Sequence, residues 1–348
     1  MGNRVSIKDI AELAGVASST VSRVLNNVTM AYPPATATRE KIFAAVKQLN
    51  YTPNINAKRL SQNKSYAIAL VIPTMENLID QYTVFEDFSF MEAMQGIERA
   101  LYSSSYRLTL IFRNRHYQNQ REYLKLFEER MIDGMLIWGS INTDRYLEEL
   151  AGYPCVQLNS HVENVPGIHA EIDHRQGARL IAEHLLNRGK HRILYIAGKD
   201  DVSISHDHRT GYLEALAEYE LREAPELFYQ GSFVPDCVNP IIDEVLEKQL
   251  RFDAVFCVND NLTRKCRLRL EQQAPQLAAQ LDFAGGGLAA NLSEHEKYAG
   301  ICTYQCPYIE MGRQGMQALL HWLQNGQSGV HIKIAPQLID NRSFAPTT

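Results

Sequence analysis

Apolar side chains recur at helical spacing near the start of the chain, at Ile7, Ile10, Ala11, Leu13 and Ala14, which predicts a short amphipathic helix. Ser6 and Asp9 suit its opening, one as a capping oxygen and the other as a first-turn carboxylate. Gly15 stops it, because glycine accepts the left-handed conformation at a helix end, and Val16 is expected to tuck into the core. A second helix follows with Val21, Val24 and Leu25 inward, leaving Ser18, Ser19, Thr20, Ser22, Arg23 and Asn26 mostly outward. A third, from Thr38 to Leu49, is expected to bury Ile42, Phe43, Val46 and Leu49 and to close a three-helix core.

From Tyr66 the texture changes to unbroken apolar runs alternating with amphipathic stretches. Ala67 to Ile72, Leu108 to Phe112, Gly134 to Trp138, Cys155 to Leu158, Arg192 to Ala197 and Ala254 to Val258 read as strands, with helices over Phe90 to Tyr102 and after Arg209. Such alternation predicts doubly wound parallel sheets covered by helices on both faces. The length of this region is enough for two such lobes, with a ligand crevice at the strand C-terminal ends.

Charge separates the same two regions. Residues 1–64 carry nine Lys/Arg against three Asp/Glu, a net +6, which leaves −11 for the rest of a chain whose total is −5. A basic head on an acidic body points the head at a polyanion. No run of 18 apolar residues is present, which excludes a membrane-spanning helix, and no apolar leader opens the chain. The cytoplasm is therefore the expected location. Six scattered cysteines fit reduced thiols; Cys302 and Cys306 could share a helix face, but without nearby histidines they make a poor metal site. No metal or cofactor is expected. There is no Gly-x-Ser-x-Gly, Walker sequence or His-Glu metal motif, the eleven histidines are dispersed, and an enzyme is not expected. His206 and His208 read as loop residues lining a ligand cleft.

The chemistry of the head is that of a major-groove reader. Two short helices joined by a tight glycine turn, the second bearing hydroxyls, Arg23 and Asn26, can bond base edges and phosphates. A merely solvated helix would more often carry Glu and Lys.

These residues bear a specific resemblance. Val5-Ser6-Ile7-Lys8-Asp9-Ile10-Ala11, Ala14-Gly15-Val16, Thr20-Val21-Ser22-Arg23-Val24-Leu25-Asn26, Thr38 to Ile42 and Leu49 to Asn54 are similar, in order, to the headpiece of the LacI/GalR family of bacterial transcription regulators. The resemblance implies a helix-turn-helix headpiece over 1–52, a hinge over 53–65 and a two-lobed effector-binding and dimerisation domain over 66–348. Asn54, Ala57, Arg59 and Leu60 fall on the family's hinge helix, where the exposed leucine would wedge between base pairs of the minor groove. Two departures stand out. Ala17 replaces the family's capping serine, and the stretch from Val28 to Ala37, with Pro33-Pro34, is longer than its counterpart.

In the body, Asp133-Gly134, Asp173 with Gly177-Ala178, Arg188 to Ile193, Arg209-Thr210-Gly211-Tyr212 and Ala254 to Asp260 follow the family pattern. Arg209 and Asp260 fall where the family grips its ligand, and a guanidinium with a carboxylate can bracket vicinal hydroxyls or a polar ring. Phe90, Trp138, Asn159, Ser205 and Phe233 are further effector candidates by position. Ala284-Gly285-Gly286-Gly287 departs from the family's turn, and its spacing is not that of a dinucleotide loop. The implied protein is a homodimer on double-stranded, pseudo-palindromic operator DNA, most simply a repressor, with no membrane partner. Its implied effector is a sugar or sugar derivative. The alternatives are a purine or other small metabolite as effector, or a solute-binding protein on the same fold.

Overall fold

The computed structural model describes residues 5–25, 33–52, 59, 62–74, 84–287, 298–326 and 330–340. The chain divides into two compact units, 1–65 and 66–348.

Three complete helices are described in the first unit: α1 (Ile7–Ala14), α2 (Ser18–Leu25) and α3 (Thr36–Gln48). Ser6 and Asp9 form a reciprocal capping box, with the Ser6 N–H donating to Asp9 Oδ2 at 2.7 Å and the Asp9 N–H donating to Ser6 Oγ. Gly15 ends α1 at φ +66°, a conformation that suits glycine. The Ala17 carbonyl accepts from the N–H of Val21, so α2 opens at Ser18 on a residue with no capping side chain. Ile10, Ala11, Ala14, Val21, Val24, Ile42 and Ala45 form the core.

Two expected core residues lie outside it: Leu13 is 46% and Phe43 49% exposed. Each helical residue turns by about 100°, which swings Leu13 off the arc of Ile10, Ala14 and Ile7, and Phe43 off that of Ile42, Ala45 and Val46. Short helices bury only the centre of such an arc.

The second unit is built on two six-stranded sheets. The first contains β1 (Ala67–Pro73), β2 (Arg107–Arg113), β3 (Gly134–Trp138), β4 (Cys155–Leu158), β5 (Ile168–Ile172) and β11 (His331–Ile334). Its order is β11-β5-β4-β3-β1-β2, all parallel. The second contains β6 (Ile193–Ala197), β7 (Phe228–Gln230), β8 (Ala254–Cys257), β9 (Asp282–Ala284), β10 (Ile301–Gln305) and β12 (Gln337–Asp340). Its order is β12-β10-β9-β8-β6-β7, parallel except for β12 against β10. The central strands β1, β3, β6 and β8 are buried almost throughout. The edge strand β2 leaves Leu110 and Phe112 exposed.

The chain passes between the lobes three times. After β5, helix His174–Asn187 packs on helix Ser203–Glu218 and on β10 of the second lobe. After β10, helix Tyr308–Asn325 returns to the first lobe against helix Phe88–Leu101 and strands β3 to β5. The third pass joins β11 to β12. The two long first-lobe helices approach backbone to backbone, because a Cβ at Gly312 would meet the Ala93 carbonyl and one at Gly96 the Ile309 carbonyl. Cys302 lies on β10 and not on a helix; all six cysteines are free, and all but Cys237 are buried.

Two stability changes of opposite sign follow. Gly312→Ala should push these helices apart and cost about 1–3 kcal/mol in chemical denaturation. Ala17→Ser should supply the missing cap and stabilise the head by about 0.5–2 kcal/mol, read from amide exchange in α2.

Candidate functional site

Two separate surfaces carry chemistry. On the head, Val21 and Val24 anchor α2 to the core, which turns Ser18, Ser19 and Arg23 outward to solvent and leaves Thr20 and Ser22 half-buried at its flank. Arg59 is described and half-buried, and its carbonyl accepts from the Lys64 N–H at 3.2 Å. Asn26, Asn54, Ala57 and Leu60 lie outside the described residues.

In the body, side-chain oxygens collect just beyond the strand C-terminal ends. Ser140 Oγ after β3, Asn159 Oδ1 after β4, Ser205 Oγ after β6 and Asp260 Oδ1 after β8 are all buried without a hydrogen-bond partner among the described residues. Burying such a group unpaired costs about 1–3 kcal/mol, so unpaired atoms in the segments that follow β3, β4, β6 and β8 are candidates to meet a polar guest. Ser140 carried no sequence signal: it is a loop serine next to Gly139, and only the convergence of strand ends gives it meaning.

Asp260 is the strongest of the four. It is the first residue of helix Asp260–Gln273, which Asn259 caps by accepting from the Leu262 N–H at 2.8 Å. Its Oδ2 accepts from Thr303 Oγ1 at 2.7 Å. The glycine run closes on it: Asp260 donates its N–H to the Gly286 carbonyl at 3.1 Å, and a Cβ at Gly285 would collide with Oδ1. Burial pushes the carboxyl up to about 7, opposed only in part by the Thr303 bond. Ser205 and Phe233 stand nearby, both against Gly198, and the Asn259 amide donates to the Phe233 carbonyl at 3.0 Å.

Next to Asp260 lies a buried polar layer of which sequence reasoning named only His208, and that as a loop residue. His208 Nδ1 is 2.9 Å from the Tyr195 hydroxyl and His174 Nδ1 is 3.0 Å from the Tyr304 hydroxyl. The Nε2 of each histidine has no hydrogen-bond partner among the described residues. Burial holds both rings neutral, pushing His208 down to about 3 and His174 to about 4. Tyr304 packs over Gly286 and Gly177, so it links this layer to the glycine run.

Arg209 does not join Asp260. It sits within helix Ser203–Glu218, which begins before it and not after it, and one residue of helical rotation sends it away from His208. Its guanidinium donates to Glu223 Oε2 at 2.8 Å and lies 3.9 Å over the Phe228 ring, at the opening residue of β7 rather than at a strand C-terminal end. His206 and His208 are on this helix too, not in a loop. Phe90 and Trp138 meet edge to face at 5.3 Å in the first-lobe core, both almost fully buried. The loop after β3 is braced by a buried ion pair, Arg113 on Asp144, with Arg113 also donating to the Gly139 carbonyl at 3.2 Å.

A helix-turn-helix head joined to a two-sheet body with polar atoms gathered at its strand ends defines a DNA-binding regulator of transcription that carries a small-molecule domain. Comparison with known proteins supplies the family. Residues 6–54 match the bacterial regulatory proteins of the lacI family, and residues 70–280 match the periplasmic binding proteins and sugar binding domain of the LacI family. The chain belongs to the LacI family of bacterial regulatory proteins, and it is a transcription regulator rather than an enzyme.

Among its relatives is the HTH-type transcriptional repressor PurR of Vibrio atlanticus (strain LGP32), 28% identical over 324 residues and covering 92% of each chain. The PurR of Vibrio cholerae serotype O1 (strain M66-2) is 27% identical over 99% of each. Among solved structures, the regulator CelR in complex with cellobiose superposes with a TM-score of 0.69 at 24% identity, over 97% of this chain and 98% of that one. The lac repressor dimer bound to operator and the anti-inducer ONPF superposes at 0.73 with 19% identity, over the same shares.

Because the folded-state pKa of Asp260 lies above its ordinary 3.8, ionising it opposes folding. That penalty is absent below the ordinary value and fully developed above about 7. The unfolding free energy of the protein without effector should therefore decline between pH 5 and pH 8, by about 3 kcal/mol at most from this group, the rest of its penalty developing below pH 5. Asp260→Asn should remove that part of the decline when denaturation is measured at both pH values.

Proposed function

We propose that this regulator represses transcription by binding a pseudo-palindromic operator as a homodimer, and that a small polar molecule seated at the strand ends of the body sets its operator affinity. The observation that carries the effector part is the set of four unpartnered polar atoms, one each from Ser140, Asn159, Ser205 and Asp260. Two hydroxyls, an amide and a carboxyl that burial biases toward its neutral form match a neutral, hydroxyl-rich ligand, and a sugar or sugar derivative is the class we assign. The Phe233 ring beside Ser205 offers a face on which such a ligand can stack. A purine is the second reading, favoured by the name of the Vibrio relatives and by the absence of any charge requirement in this donor set.

On the head, Ser18, Ser19, Thr20, Ser22, Arg23 and Asn26 read base edges and phosphates. Arg59, Leu60, Asn54 and Ala57 belong to a hinge entering the minor groove. The exposed apolar strip of Phe85, Phe88, Met91, Leu110 and Phe112 on the first lobe supports self-association. No helix among the described residues is long and apolar enough to cross a membrane, and the proposed place of action is the cytoplasm.

Duplexes selected from a random pool by the full-length protein should shift in a gel as a complex with two chains. Arg23→Ala should weaken that complex by about 1–3 kcal/mol, and Leu60→Ala should reduce the bending of the duplex. Failure to select any duplex would overturn the DNA-binding reading. In a thermal-shift panel of sugars and nucleobases, a sugar should raise Tm in the wild type and not in Asp260→Asn. A purine response without any sugar response would replace the sugar assignment.

A further inference from the structure

Three of the histidines that are dispersed along the sequence converge in the fold. His169 comes from β5, His331 from the paired position on β11, and His161 from the loop after β4. Each offers one ring nitrogen, and the three nitrogens lie within 4.8 Å of one another. The rings of His161 and His169 stack at 4.8 Å, and that of His331 stands edge-on to both at 5.6 and 5.5 Å.

Strand geometry explains the meeting. Residues two apart share a face of the sheet, so Glu171 stands beside His169 on β5, and register places Lys333 opposite it on β11. Glu171 is almost fully buried, with one oxygen 2.8 Å from His161 Nδ1 and the other 2.8 Å from His331 Nε2. Lys333 lies 3.6 Å from Glu171 but bonds Asp207 at 3.1 Å, which offsets its charge. Gln157 Nε2 lies 3.2 Å from His169 Nε2, and the ring also bonds the Val165 backbone, a contact that metal binding would have to replace.

A carboxylate hydrogen-bonded to an imidazole decides which ring nitrogen carries the proton and strengthens the other as a ligand. One carboxylate serving two imidazoles beside a third is therefore the outer support that a metal site requires. Neutral imidazoles select borderline ions such as Zn(II), Ni(II) and Co(II) over Mg(II) or Ca(II). Tetrahedral coordination at about 2.0–2.1 Å per bond needs the nitrogens to draw together from their present spacing. His331, on an edge strand with its side chain 43% exposed, has the room to turn.

We propose that His161, His169 and His331 bind one divalent transition-metal ion, with Glu171 orienting the imidazoles and supplying the compensating charge. The site shares no ligand residue with the effector site, although its loop also carries Asn159, so metal uptake is measured independently of the sugar assignment. It lies where the lobes touch: the His161 N–H donates to Ser203 Oγ at 3.1 Å, at the start of helix Ser203–Glu218. An ion there fixes the loop after β4 against the second lobe.

The test uses full-length protein stripped with a chelator and titrated with CoCl2, then ZnCl2. The expected result is one Co(II) per chain with visible d–d bands of nitrogen and oxygen ligation, displaced by Zn(II), together with a metal-dependent rise in Tm. His331→Ala, on the exposed edge, should keep the circular dichroism of the wild type and weaken binding at least tenfold. Glu171→Gln should weaken it by about 10–100-fold. Thiolate-to-cobalt charge-transfer bands, unchanged affinity in His331→Ala, or no stoichiometric uptake would each overturn the proposal.

Discussion

Three passes of the chain between two mainly parallel sheets are the constraint on which the rest of this body depends. They force loops from both lobes to meet over the strand C-terminal ends, where helix starts and strand ends leave polar groups facing one another. Part of that seam is satisfied internally: the Asn142 N–H donates to the Asp201 carbonyl at 2.7 Å, and Lys333 bonds Asp207 across the divide. Part is not. One side-chain oxygen each of Ser140, Asn159, Ser205 and Asp260 is buried by the same closure yet left without a partner among the described residues. A protein that accepts several such costs in one place is poised to gain stability when a ligand relieves them.

The close approaches that make this closure possible are glycine approaches. Gly96 and Gly312 let the two long first-lobe helices touch along their backbones, and Gly211 does the same for the second-lobe pair against the Arg175 carbonyl. Gly285 and Gly286 bring a backbone turn onto Asp260 and Tyr304, which is why no larger residue can line that wall. The head is held differently. Its three described short helices share a small core, and its stability rests on local devices such as the Ser6–Asp9 box, so the bare Ala17 end of α2 is a real weakness in the element we propose to face DNA.

The central strands were legible because both of their faces are buried and their sequences are unbroken apolar runs. The strands β5, β7, β9, β10, β11 and β12 were not: Ile168–Ile172 carries His169 and Glu171, Ile301–Gln305 interleaves Thr303 and Gln305 with its apolar residues, Phe228–Gln230 and Asp282–Ala284 are three residues long, and His331–Ile334 and Gln337–Asp340 are edges. The polar residues that hid β5 and β11 are the ones that build the histidine cluster. In the candidate site, Asp260 was readable from its place after an apolar strand. Arg209 was misplaced because its helix begins at Ser203 rather than after it; each helical residue turns by about 100°, so His208 faces inward while Arg209 does not. Ser140 and the His174–Tyr304 pair depend on contacts between segments far apart in sequence, which periodicity does not encode.

The account stands on coupling between the body's polar site and the head's grip on DNA. The most direct measurement is the operator dissociation constant of the full-length protein, with and without a compound that raises its Tm, at fixed salt. The account predicts a change of at least about fivefold, with an equal change in that compound's affinity when operator is present, as reciprocal linkage demands. A compound that stabilises the body through Asp260 and leaves operator affinity unchanged would contradict it.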